Sequence, residues 1–161
     1  MTGLFFGVAA AALALDVISK RLASSCLAGE SVTVLKGLLE LRLTHNTGMA
    51  LGILSGNWLA SLLLPLAVIA GGWFLIRRYA PSRFTRVACG LIVGGFLGNF
   101  IQRLIRGYVV DMIYFPFMPW YICNLADVAI CVGVALMIVS VLFRPGDWRE
   151  RHGSDQTAGG K

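Results

Sequence analysis

Four long apolar runs divide this chain, and the polar stretches between them differ in character. The first, residues 3–19, would span ~25 Å as a helix at ~1.5 Å per residue, just enough to cross a bilayer core. The second, 58–76, carries no charge. Pro65 falls inside it, and lipid-embedded helices tolerate such a kink when neighbours satisfy the freed carbonyl. The third covers 84–102 and the fourth 121–143. Between the first two, Leu39-Glu40-Leu41-Arg42-Leu43-Thr44 alternates apolar and polar, the period of a half-buried strand. Val32-Thr33-Val34 can pair with it across Lys36-Gly37. Between the last two runs, Val109-Val110 is strand-like, and Phe115, Phe117, Trp120 and Tyr121 read with Pro116 and Pro119 as an interfacial belt. The pattern predicts four membrane-spanning helices and a little strand outside them.

Composition agrees with that pattern. At 57% apolar, 14% charged and a mean hydropathy of +0.76, the chain is too apolar for a soluble single domain. Its formal charge of +6 comes from arginines that flank apolar runs, which points to anionic lipid and away from nucleic acid. Arg77, Arg78, Arg83 and Arg86 cluster after the second run and place that loop in the cytoplasm. Both termini then lie inside, and both longer connections lie outside. The four cysteines show no paired metal-ligand spacing and only two histidines exist, so no metal site is expected. Cys89 and Cys131 fall in apolar runs and read as packing residues. Leu22-Ala23-Ser24-Ser25-Cys26 allows a rival reading, a removable leader ending at Cys26. Against it, no basic residue precedes the first apolar run, and Asp16, Lys20 and Arg21 intervene before Cys26.

The polar residues inside or beside the apolar runs narrow the function. Under this topology Asp16, Asp111, Asp127, Asn46, Asn99, Asn124 and Arg103 all gather at the outer surface. Ionisable groups at such positions are costly and usually mark function, although a structural ion-pair network is the plain alternative. Asp16 and Lys20 share a helix face, acid before base, and read equally as an ion pair or as a site wall. Lys20 is expected to snorkel to the headgroups. His45 reads as a surface residue. Gly90, Gly94 and Gly98 form a small-residue stripe for close helix approach, with Gln102 at its end as a packing residue. Gly95, Asn99 and Arg103 form the neighbouring stripe. No Ser–His pair, no thiol with a base and no metal ligands share the outer depth. Two close carboxylates share one proton, so one can draw a proton from water while the other donates. That is aspartic peptide hydrolysis, and it needs no cofactor.

These residues fall into ordered blocks. Asp16-Val17-Ile18-Ser19-Lys20, His45-Asn46-Thr47-Gly48-Met49-Ala50-Leu51-Gly52, Gly98-Asn99-Phe100-Ile101-Gln102-Arg103 with Gly107-Tyr108-Val109-Val110-Asp111, and Asn124-Leu125-Ala126-Asp127 resemble the blocks of lipoprotein signal peptidases (signal peptidase II). The resemblance covers roughly residues 4–143. It implies an all-α membrane protein of four transmembrane helices, with a small extracytoplasmic β-cradle and an outer amphipathic helix. Residues 1–143 would be one peptidase domain with an extracytoplasmic region at 22–57, and 144–161 a polar, disordered cytoplasmic tail. Asp111 and Asp127 would be the catalytic dyad. Asp16, Lys20, Asn46, Asn99, Arg103 and Asn124 would line or support the site. The implied reaction removes signal peptides from prolipoproteins just before a diacylglyceryl-modified cysteine. Implied partners are those prolipoproteins and membrane lipids, around a monomer in the bacterial inner membrane. Val17, Leu51, Gln102 and Val128 depart from the usual Gln, Phe, Asp and Ser. An inactive homologue that binds lipidated signal peptides, and a small proton-coupled transporter, are the competing expectations.

Overall fold

The computed structural model describes residues 2–48, 58–79 and 81–150. In chain order the elements are α1 (Gly3–Cys26), β1 (Ser31–Leu35), β2 (Leu39–Asn46), α2 (Trp58–Arg78), α3 (Arg83–Arg106), β3 (Val109–Tyr114), β4 (Ile122–Cys123) and α4 (Leu125–Phe143). A 3-10 turn, Pro145–Trp148, follows. The first three expected apolar runs lie in helices, and the fourth does from Leu125 on. Three of them, α1, α3 and α4, are long and apolar enough to cross a membrane, with mean hydropathies of 1.7, 1.5 and 2.6.

The helices overrun the expected ends, α2 to Arg78 and α3 to Arg106, and two further boundaries differ. α1 continues past residue 19 to Cys26, carrying Lys20 and Arg21 within the helix. α4 begins at Leu125 instead of 121, because Asn124 sits in an extended conformation and caps it, while Ile122–Cys123 pairs with β3. Asp127 is therefore in the first turn of α4 and not deeper along it.

α3 is the hub, packing against α1, α2, α4 and β3. The expected glycine stripes make this possible. A Cβ at Gly94 would stand 2.9 Å from the Ala12 Cβ of α1, and one at Gly95 would stand 2.8 Å from Ile130 Cγ1 of α4. Consecutive residues are ~100° apart on a helix, so adjacent glycines serve two different neighbours. Phe5, Ile76, Cys89 and Val93 form the buried core there, which confirms Cys89 as a packing residue. Cys131, by contrast, is exposed. Much of the apolar surface faces outward. Only 17% of the most apolar window of α4 is buried, as expected of a helix whose solvent is lipid.

The strands form one antiparallel sheet in the order β1-β2-β3-β4. The β1–β2 hairpin is the one its alternation predicts. The sheet rests on the end of α1 through Ala23, Leu27 and Met112, with Leu41, Leu43 and Ile113 packed against them. At the other end of α3, the turn after α4 folds back. The Asp147 carboxylate accepts hydrogen bonds from Ser82 Oγ at 2.6 Å and from Thr85 Oγ1. The stretch after β2 expected to hold an outer amphipathic helix, with the departure at Leu51, and the distal tail at 151–161 lie outside the described residues.

Candidate active site

The site assembles at the start of α4. A helix N-terminus leaves its first backbone N–H groups without intrahelical partners and carries a partial positive charge, so it recruits acceptors and anions. Here three side chains answer. The Asn124 side-chain oxygen accepts from Asp127 N at 3.1 Å, and Asp127 Oδ2 accepts from Asn124 N at 3.2 Å, a reciprocal capping box. From α1, Asp16 Oδ1 accepts from Ala126 N at 3.0 Å. Two carboxylates therefore sit at the positive end of one helix.

Asp111 arrives from a different direction, on β3, where Thr44 of β2 lies opposite it. It is 2% exposed, and each of its oxygens accepts from an amide. Asn46 Nδ2 donates to Oδ2 at 2.9 Å, and Asn124 Nδ2 donates to Oδ1 at 2.6 Å. Burial pushes the Asp111 carboxyl up to about 6, against the two amide donations that hold it down; the nearby Asp127 adds to the rise. The same Asn124 side chain thus touches Asp111 with its nitrogen and the first turn around Asp127 with its oxygen.

Asn99 completes the bridge from α3. Its Nδ2 donates to Asp127 Oδ1 at 2.8 Å, while its oxygen accepts from Lys20 Nζ at 2.8 Å and Asn124 Nδ2 at 3.2 Å. Lys20 corrects the expectation of snorkelling. It is 2% exposed and forms a 2.7 Å ion pair with Asp16. Because an ammonium only donates, it fixes the Asn99 oxygen toward itself and the Asn99 nitrogen toward Asp127.

All eight expected residues converge on this end of the helices, Arg103 by holding the turn after β2. It makes no ion pair with either aspartate among the described residues; its guanidinium donates to the Gly48 backbone oxygen at 2.8 Å and so pins the turn after β2. Its Nε is buried with no partner among the described residues. His45 stays outside, exposed against Tyr108. Gln102 was expected to finish the helix-packing stripe. Instead its side-chain oxygen accepts from the backbone N–H of Val110 at 2.9 Å, next to Asp111. Helical periodicity gives only the face a residue occupies; the turn at Gly107, with φ of 75°, folds β3 back onto that face.

Fold and site together define a membrane protein with a carboxylate pair, one member buried and the other partly exposed, held by amides at one end of its helices. The comparisons with known proteins agree. The sequence model of the family described as signal peptidase (SPase) II matches residues 8–143. The chain is 35% identical to the lipoprotein signal peptidase of Bacillus subtilis over 147 residues, covering 89% of this chain and 96% of that one. It is 38% identical to that of Lactiplantibacillus plantarum over 128 residues, 79% and 85% of the two chains. A bacterial membrane enzyme solved in meso at 2.3 Å resolution superposes with a TM-score of 0.78 at 28% identity, covering 93% of this chain and 94% of that chain. The chain belongs to the signal peptidase II family and is a bacterial cell-membrane protease.

Proposed function

We propose that this protein is an aspartic endopeptidase that removes signal peptides from prolipoproteins, cutting just before a diacylglyceryl-modified cysteine, with Asp111 and Asp127 as its dyad. The observation that carries this is the Asn124 bridge: its side-chain nitrogen donates to the Asp111 carboxylate and its backbone N–H to the Asp127 carboxylate, so one buried residue joins carboxylates from two elements. Asp111 is the buried member; Asp127 is partly exposed and offers the side open to substrate. One carboxylate takes a proton from the attacking water. The other donates to the scissile carbonyl oxygen, and the proton then passes to the leaving amine as the C–N bond breaks. Asn46, Asn99 and Asn124 hold the carboxylates in place, Asp16 and Lys20 hold Asn99 and the start of α4, and Arg103 holds the turn after β2 through the Gly48 oxygen.

In this reading α2 is the fourth span, the loop after it is cytoplasmic, the sheet stands outside as a cradle, and the protein acts as a monomer among membrane lipids. The relatives named lipoprotein signal peptidase support the substrate class. A transporter would want carboxylates along a path through the bundle. The α3 segment between Thr85 and Asn99, ~21 Å of helix at ~1.5 Å per residue, contains only Arg86 among charged residues and is otherwise glycine, alanine, cysteine, phenylalanine and aliphatics. The test is cleavage of a purified, lipidated prolipoprotein, read as a gel shift. Asp111→Asn and Asp127→Asn should each lose activity by more than about a thousandfold while remaining folded, since two-residue acid–base units fail when either member is lost. Near-normal turnover by either variant removes that residue from the dyad, and an inert wild type favours the inactive-homologue reading.

A further inference from the structure

Among the described residues the Val110 N–H is a donor with no strand to serve it. There β4 pairs with β3 only at Ile113 and Tyr114, and no strand covers that edge of β3 at Val110. Val110 is 0% exposed, and a buried backbone donor left without an acceptor is expensive. The donor's partner is Gln102 Oε1, which comes from the last turns of α3. That same stretch of α3 carries Asn99, whose amide holds Asp127.

We infer that Gln102 is a positioning residue for Asp111: by accepting the Val110 N–H it fixes β3 against α3, and so sets where the Asp111 carboxylate stands relative to Asp127. The inference rests on Asp111 being catalytic, and it goes beyond that reading by assigning work to a residue outside the carboxylate–amide cluster. α3 then holds both halves of the pair. Asn99 grips Asp127 directly, and Gln102 grips the strand next to Asp111 through its backbone. The device needs an acceptor of this length at 102 and does not need a charge. A glutamate supplies the same acceptor at the same reach; an asparagine withdraws it by one methylene; a leucine fills the volume and offers nothing.

The experiment compares wild type with Gln102→Leu, Gln102→Asn and Gln102→Glu in detergent. Kinetics are measured per folded enzyme, and backbone hydrogen exchange is followed on the fragment containing β3. Misplacement by about 1 Å can cost on the order of 100-fold in rate. Gln102→Leu should therefore lower kcat by roughly 10- to 100-fold with KM little changed, and speed exchange in 109–114 while leaving the β1–β2 hairpin as it was. Gln102→Asn should fall between, and Gln102→Glu should restore both kcat and exchange protection. A Gln102→Leu enzyme that melts earlier but keeps wild-type kcat and β3 exchange makes the residue merely structural and overturns the proposal. If Gln102→Leu does not fold, Gln102→Asn decides: wild-type turnover and exchange in that variant overturn it equally. Failure of the wild type to cleave would instead sink the proteolytic reading, and the exchange comparison would still decide whether Gln102 holds β3.

Discussion

Lys20 shows what one side chain's surroundings add to its spacing. The sequence places Lys20 one turn from Asp16 on a shared face, and both halves of that statement hold. Spacing says nothing about which way the face turns, and a lysine near a helix end more often reaches for headgroups. Here it turns inward because α3 presents the Asn99 oxygen at 2.8 Å. The consequence is energetic. Removing one member of a buried ion pair leaves an uncompensated charge and typically costs about 3–5 kcal/mol, whereas replacing both members is far milder. Lys20→Met should therefore lower the melting temperature in detergent sharply. Adding Asp16→Asn should recover much of the loss, because the asparagine oxygen can still accept from Ala126 N. A double variant no more stable than the single one would show that the pair does not act as a unit.

At the level of elements, helices were legible and their ends were not. Apolar runs of membrane length reveal themselves by hydropathy, and the hairpin of β1 and β2 by its period of two. The two-residue β4 has no periodicity to read, so the sequence merges it with α4 and pushes Asp127 too deep. The capping box could have corrected this, since Asn followed three residues later by Asp is a helix-start signal. The β2–β3 register matters most for the chemistry. Asn46 ends β2 opposite Val109, and from there its amide reaches Asp111 Oδ2 at 2.9 Å. That donation favours the ionised carboxylate, so its loss must raise an Asp111 titration already near 6. The other charged groups that act on Asp111 are Asp127, which raises it further, and Lys20, which opposes the rise. Asn46→Ala should thus move the limb of the pH–rate profile lying near pH 6 to higher pH, by on the order of one unit, since a hydrogen bond to a charged group contributes about 1.5–3 kcal/mol. A profile with unmoved limbs would detach Asn46 from the titration of the pair.

The whole molecule is polarised along its helices. One end of α3 holds the carboxylates, amides, Lys20 and Arg103. The other holds a separate polar clasp, in which Thr85 and Ser140 share a hydrogen bond and Asp147 accepts from Ser82 and Thr85. Between them the helices meet through glycine, alanine and aliphatic side chains, and apolar surface faces outward. That arrangement suits a bilayer but does not by itself say which end faces which compartment. The basic residues supply the expectation. Arg77 and Arg78 close α2 and Arg83 opens α3, all beside the clasp, and arginine-rich short loops remain on the cytoplasmic side. On the proposed topology the aspartates would face outward, where a peptidase would meet precursors already exported. The sequence yields this expectation from charge counts and not from contacts. In a cysteine-free background, Lys36→Cys in the β1–β2 turn and Arg83→Cys at the start of α3 give two exposed reporters. A membrane-impermeant maleimide added to spheroplasts should label Lys36→Cys at once and Arg83→Cys only after lysis. The reverse pattern would put the carboxylate pair in the cytoplasm, where no exported precursor could reach it, and the proposed reaction would fall with it.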